Sequence, residues 1–270
     1  MSEPRVRSVL VVDVGNTNTV FGLFEDDALV ADFRVETRRN RTGDEYYAMM
    51  EPLIRRAGFP LSGVGAVVVG SVVPRALYPL EQLSIMVTGR KPVVVDHRME
   101  TGLKLLYHRP EEMGADRVID AAYAYRRFGA SIVVDFGTAT TFDVVNAAGE
   151  YLGGCIVPGI SISMDALFAY ASRLPSVEVS RPDHAIGRST EEAMRSGVYY
   201  GYVAMVDGLV DRLRQEAGIT GTVLATGGLA RLIARDSKRI DAVLPNLTLD
   251  GMLMLYRMSL GLPPGVEREP

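Results

Sequence analysis

The chain is poor in the residues that build several kinds of site. Cys155 is its only cysteine, so no intrachain disulfide can form and a disulfide-stapled scaffold is excluded. Its histidines, His97, His108 and His184, are scattered and offer neither zinc spacing nor a catalytic pairing. Tryptophan is absent, so intrinsic fluorescence reports tyrosine alone. No apolar stretch approaches the roughly 20 residues that a membrane-spanning helix needs. Neither sign of charge is in large surplus: the formal net charge is −4, which argues against a nucleic-acid surface. The densest basic run, Arg38, Arg39 and Arg41, is short and reads as a solvated loop. No G-x-x-x-x-G-K-[ST] occurs, which excludes a P-loop kinase, and no G-x-G-x-x-G follows a predicted strand. With one cysteine and no recognisable signal peptide, a reducing, cytoplasmic setting is expected.

What the chain does have is one segment written twice. Residues 11–21 read VVDVGNTNTVF and residues 133–143 read VVDFGTATTFD. Aligned without a gap, Asp13 falls on Asp135, Gly15 on Gly137 and Thr19 on Thr141. Apolar β-formers precede each Asp, and a run of Thr and Asn leads back into apolar residues, the pattern of a hairpin. Asp-x-Gly is also ordinary turn chemistry; two matched copies, each at the front of a half-chain, favour function. Such a turn can offer backbone N–H groups and short donors to a phosphate, and its carboxylate can reach a phosphate-bound cation. A cleft gripped from two similar halves is the expectation.

The rest of the chain fits that duplication. Predicted strands cover 8–14, 19–25 and 28–35, with Glu25-Asp26-Asp27 as a turn. A helix covers 43–57, with Thr42 or Asp44 at its cap and Gly58 and Pro60 behind it. VGAVVVGSVV (64–73) is a strand buried on both faces, Pro74 opens a helix to about 86, and 91–96 is another strand. A helix at 111–128 joins the halves. The second half repeats the order with strands at 131–136, 140–146 and 150–157, helices at 159–173 and 189–216, a strand at 222–228 and a helix at 248–260. The tail GLPPGVEREP is expected to fray. The fold class is therefore α/β, two similar domains of βββαβαβα order, at 1–120 and 121–270, with the last helix a candidate to return to the first.

This layout resembles the acetate kinase, sugar kinase, Hsp70 and actin superfamily of ribonuclease-H-like domains, with Thr226-Gly227-Gly228 looking like its adenosine turn. Within it, the chain resembles the type III pantothenate kinases over about 8–260. The marks are DVGNTNTVFG (13–22), RTGDE (41–45), SVVP (71–74), GADR (114–117), DFGTATTFD (135–143), GGCIVPG (153–159) and TGG (226–228). GADR followed by DFGTATT is the specific pair. Gly43, in RTGDE, is a small departure that touches no catalytic group.

The resemblance implies ATP-dependent phosphorylation of pantothenate to 4′-phosphopantothenate, the first step toward coenzyme A, in a homodimer requiring Mg²⁺ and K⁺ or NH₄⁺. It assigns the ATP phosphates to Asp13, Val14, Gly15, Asn16, Thr17, Asn18, Thr19 and Val20, with Thr138 reaching them from the second turn. Asp13 faces Mg²⁺ through water, because Mg²⁺ dehydrates reluctantly. Asp135 is a ligand of the monovalent cation. Asp116 is the general base that takes the hydroxyl proton; the alternative is a partner for Arg117 or a helix cap. Tyr107, Gly114, Ala115, Asp116, Arg117 and Thr190 contact pantothenate, a guanidinium being able to hold its carboxylate by two parallel hydrogen bonds. Tyr107 also reads as a half-buried aromatic and Thr190 as an N-cap. Cys155 and the Met252, Met254, Met258 group read as core, and GGCIVPGISISM (153–164) as core or interface. Two other functions stay open: a regulatory homologue on the same scaffold, and a kinase for a sugar or acetate.

Overall fold

A computed structural model of the chain describes residues 8–170 and 177–265. In chain order the elements are β1 (Ser8–Val14), β2 (Asn18–Glu25), β3 (Ala28–Glu36), α1 (Gly43–Arg56), β4 (Ala66–Ser71), α2 (Leu77–Thr88), β5 (Val93–Val95) and β6 (Lys104–Leu105). They continue with α3 (Ala115–Phe128), β7 (Ser131–Phe136), β8 (Ala139–Val145), β9 (Glu150–Pro158), α4 (Ile160–Tyr170), α5 (Thr190–Ala217), β10 (Thr222–Gly227), α6 (Ala230–Ala234), β11 (Ala242–Val243) and α7 (Leu247–Ser259). The expected helix end near 173 and the last five residues of the tail lie outside the described residues.

The chain divides into two units. The first takes everything described up to Gly102, then Arg109–Tyr123 and the chain from Leu247; the second takes Leu103–His108 and Ala124–Asn246. The boundary therefore falls inside α3, and α7 belongs to the first unit rather than closing the second.

In the first unit the sheet order is β3-β2-β1-β4-β5. β1 runs antiparallel to β2 and parallel to β4. Leu10, Val12 and Val14 face one core with Tyr46, Met50 and Ile54 of α1 and Leu80 and Leu83 of α2. On the opposite face, Leu249 of α7 would meet a side chain at Gly22, and Met252 of α7 and Ile119 of α3 would meet one at Gly70. A strand covered on both faces has no place for alternating polar residues, which is why β1 and β4 read as unbroken apolar runs. Each such buried side chain is worth about 1.5–3 kcal/mol. Thr42 caps α1 in a reciprocal capping box with Glu45, worth about 1 kcal/mol. A Cβ at Gly43 would come within 2.7 Å of Gln82 Cβ, so the departure from the family pattern is what lets α1 start against α2. Arg257 of α7 pairs with Asp27 in the β2–β3 turn.

The second unit repeats the order as β9-β8-β7-β10-β11, with β6 added outside β9. Ile132, Val134 and Phe136 of β7 pack on Tyr199, Tyr202, Val203, Val206 and Val210 of α5. Ser189, in extended backbone, caps α5 by accepting from the Glu192 N–H. This corrects the N-cap reading of Thr190, which is the first helical residue.

α3 begins at Ala115, not 111; a short 3-10 turn at Pro110–Glu112 precedes it. The expected strand at 91–96 shortens to β5. β6, α6 and β11 have no counterpart among the predicted elements.

Candidate active site

The two repeated turns occupy the same place in their units, between the first two strands of each meander. Their register differs. Asp13 pairs with Val20 across the first turn, whereas Asp135 pairs with Thr141 across the second. The second turn is one residue shorter, so the gapless alignment is corrected: Thr19 corresponds to Thr140, not Thr141, and Thr17 corresponds to Thr138. Both Thr19 and Thr140 are fully buried.

In the first turn Asn16 and Thr17 are exposed at the tip and Asp13 is half-buried. The Gly15 N–H donates to the Asn18 carbonyl at 2.9 Å. Val14 and Thr19 do not present side chains to a ligand: Val14 is core, and the Thr19 hydroxyl is 2.9 Å from that of Thr37. Both side chains are taken up by the fold.

Asp13 shares its sheet face with Val9 and Val11, by the two-residue period of a strand, and lies beside Gly70 of β4. Gly70 is covered by Ile119 of α3. The Val72 N–H, just past β4, donates to the Val14 carbonyl at 3.1 Å, and the Val72 side chain lies 3.1 Å from where a Cβ at Gly114 would stand. The same Cβ would be 2.3 Å from Asp116 Oδ1. GADR therefore sits at the end of the sheet that carries the Asp13 turn. Gly114 is needed because any side chain there would displace the Asp116 carboxylate.

Asp116 lies in the first turn of α3, half-buried, with Oδ1 accepting from the Arg117 N–H at 2.8 Å. Burial pushes its carboxyl above the usual range, against the Arg117 N–H and charge, which pull it down. A carboxylate kept ionisable but made more basic suits proton abstraction. Arg117 is buried, at 7% exposure.

In the second unit Asp135 is half-buried, with Gly137 and Thr138 exposed beside it. Two glycines cradle its carboxylate. A Cβ at Gly227, which has φ +90°, would stand 2.4 Å from Oδ1, and one at Gly137 would stand 3.4 Å from Oδ2. A side chain at Gly227 would displace the carboxylate, so the close approach of that backbone to Asp135 requires glycine. Among the described residues no group of three or more His, Cys, Asp or Glu could hold a metal ion.

Tyr107 stacks at a tilt on the buried Tyr151, centroids 6.1 Å apart, and the Tyr151 hydroxyl donates to Asp143 at 2.6 Å. Thr190 is exposed at the start of α5. Asp13, Gly114, Ala115, Asp116 and Arg117 thus belong to the first unit, and Tyr107, Asp135, Thr138 and Thr190 to the second. Of the basic run, Arg38 pairs with Glu36, and Arg41 donates to the Glu36 carbonyl and stacks on Tyr46. A cavity of about 510 Å³ beside Arg39, Arg75, Tyr78 and Gln82 contains none of the expected site residues. Sequence reasoning missed Thr37 and Tyr202, whose hydroxyls hold the two turns from 18 and 62 residues away.

Two ribonuclease-H-like units, each with an Asp-x-Gly turn at the same point of its meander, define the actin, Hsp70 and sugar-kinase class of folds. Solved structures agree on the fold. A protein described as a Baf-family transcriptional activator from Campylobacter jejuni superposes with TM-score 0.59 at 19% identity, over 94% of this chain and 100% of that one. The ethanolamine utilization protein EutJ from Carboxydothermus hydrogenoformans gives 0.53 at 15% identity, over 98% and 90%. Sequence comparison narrows the class. The family profile of type III pantothenate kinase matches residues 9–212. The type III pantothenate kinase of Syntrophotalea carbinolica is 48% identical over 254 residues, 94% of this chain and 100% of the relative. That of Myxococcus xanthus is 50% identical over 249 residues, 92% and 97%. The chain belongs to the type III pantothenate kinase family.

Proposed function

We propose that the chain transfers the γ-phosphoryl group of ATP to the primary hydroxyl of pantothenate, giving 4′-phosphopantothenate and ADP, the first step of coenzyme A biosynthesis. The observation that carries this is a part-buried, basic carboxylate, Asp116, on the same sheet end as the Asp13 turn. Asp116 takes the hydroxyl proton as the oxygen bonds to the γ-phosphorus and the bond to the β,γ-bridging oxygen breaks. The developing charge on the phosphoryl oxygens is met by the turn at Gly15–Asn18 and by Thr138. Phosphoryl transfer is mostly positioning and charge neutralisation, so the turn is central to the rate. Arg117, Tyr107 and Thr190 bind pantothenate. Asp135 holds K⁺ or NH₄⁺ and Asp13 faces Mg²⁺, cations that supply positive charge at the phosphates when bound.

The family resemblance implies a homodimer, and one surface of the second unit suits it. Ile156 of β9 is 62% exposed, and Ile162, Leu167, Phe168 and Tyr170 of α4 are exposed beyond it, Tyr170 at 92%. Scattered exposed apolar residues are ordinary, and this run on consecutive elements supports the dimer reading only as a surface that association would cover. A cytoplasmic setting, where ATP is made, fits the single thiol. No helix among the described residues is long and apolar enough to cross a membrane.

A coupled ADP-release assay with pantothenate, glucose and acetate in parallel tests the reading. Turnover with pantothenate alone supports it. Turnover with glucose or acetate would replace it by another kinase, and no turnover with any would favour a regulatory homologue.

A further inference from the structure

We propose that Thr37, just past the end of β3, is a positioning residue for the ATP phosphates, acting through the backbone of the β1–β2 turn. The inference rests on the reading that this turn holds those phosphates. Thr37 makes three bonds to the hairpin beside it. Its hydroxyl donates to the Gly15 carbonyl at 2.8 Å. Its N–H donates to the Thr17 carbonyl at 2.9 Å. The Thr19 hydroxyl is 2.9 Å from the Thr37 hydroxyl. A hydroxyl has one hydrogen, and that of Thr37 is committed to Gly15. The shared bond is therefore donated by Thr19, which is fully buried.

The consequence is directional. In a planar trans peptide the N–H points opposite to the C=O. Pinning the Gly15 carbonyl toward Thr37 turns the Asn16 N–H to the other side. Pinning the Thr17 carbonyl does the same for the Asn18 N–H. Thr37 thus takes up the two carbonyls that would repel a phosphate and fixes the aim of the N–H groups behind them. Donors preset in this way need no reorganisation when charge develops. The other turn lacks the device. The residue after β9 is Gly159, whose N–H donates to Thr138 at 3.2 Å but which has no hydroxyl.

The test compares Thr37→Val, Thr37→Ser and Asp13→Asn with the wild type in steady-state kinetics, varying ATP and pantothenate separately. Thr37→Val should raise KM for ATP, or lower kcat/KM for ATP, by roughly 10- to 100-fold, the cost of a misplaced positioning group. KM for pantothenate should stay within about twofold, and Thr37→Ser, which keeps the hydroxyl, should restore ATP kinetics. A purely structural Thr37 would lower Tm and leave KM for ATP unchanged in the folded fraction, and that result overturns the inference. If Asp13→Asn loses ATP kinetics while Thr37→Val keeps them, the turn reading stands and the role of Thr37 falls. If neither changes them, both fall. Thr37→Ala, which opens space instead of inserting a methyl, carries the same expectation should the valine variant not fold.

Discussion

The two Asp-x-Gly turns are alike in sequence and differ in construction. The first is one residue longer, ends in two exposed polar residues and is tied down by Thr37 at the end of its own meander. The second is shorter and rests directly on a backbone: a Cβ at Gly159 would stand 2.3 Å from the Thr138 carbonyl. Its buried Thr140 is held from outside the meander, by the Tyr202 hydroxyl of α5, which is 2.7 Å from both Thr140 Oγ1 and the Pro158 carbonyl. A duplicated motif therefore keeps its carboxylate and glycine while the parts that aim it diverge. The first turn is pinned through its carbonyls by Thr37, whereas the second lies against the backbones of Gly159 and Gly227.

The largest expected effect lies outside both turns, at Asp116. Asp116→Asn keeps size and much of the hydrogen bonding but cannot accept the proton, so kcat should fall by roughly 10²-fold or more. Burial raises the folded pKa of Asp116. The stability its protonated form confers is then present below the ordinary carboxylate range and lost as pH rises through the folded value. The variant escapes that loss. Its Tm relative to wild type should therefore climb as pH rises above the ordinary carboxylate range. A Tm difference that turns negative over that range would make Asp116 a structural partner of Arg117 instead.

The next effect separates the two turns by sterics. Gly159→Ala should cost about 1–3 kcal/mol, because its Cβ meets two carbonyls, Thr138 at 2.3 Å and Gly137 at 2.8 Å. A Thr37-like bolt cannot be transplanted there. Chemical denaturation of this variant beside Thr37→Gly would show the asymmetry, and equal small effects would erase it.

Tyr202→Phe should cost about 1 kcal/mol and act on the second turn alone. KM for ATP should move little, in contrast to Thr37→Val. The smallest effect is a control at the start of α1: Thr42→Ala, which breaks the capping box, should lower stability by about 1 kcal/mol or less with kinetics intact.

Much of this was legible before the structure. The β-branched run at 64–73 marks a strand covered on both faces, the runs at 8–14 and 131–136 mark strands, and GADR with DFGTATT marks the family. The misses have local causes. β6 and β11 are two residues each, too short to show a period. The length of the second turn is set by pairing register, which residue identity does not reveal, and it moved the counterpart of Thr19 from Thr141 to Thr140. Ser189 and Thr190 are adjacent and both of cap-forming type, Ser the better, and the backbone settles which one caps. Thr37 and Tyr202 act across 18 and 62 residues, so no spacing in the chain points to them.

The difference between the turns is tested most directly by a cation swap. Wild type, Asp13→Asn and Asp135→Asn are assayed with saturating pantothenate in K⁺, NH₄⁺ and Na⁺, with Mg²⁺ constant. The account predicts that wild-type turnover drops sharply in Na⁺, that Asp135→Asn is poor and nearly indifferent to the salt, and that residual activity of Asp13→Asn still prefers K⁺. Equal wild-type turnover in Na⁺ and K⁺, or a K⁺ preference retained by Asp135→Asn, would contradict the separate roles of the two turns.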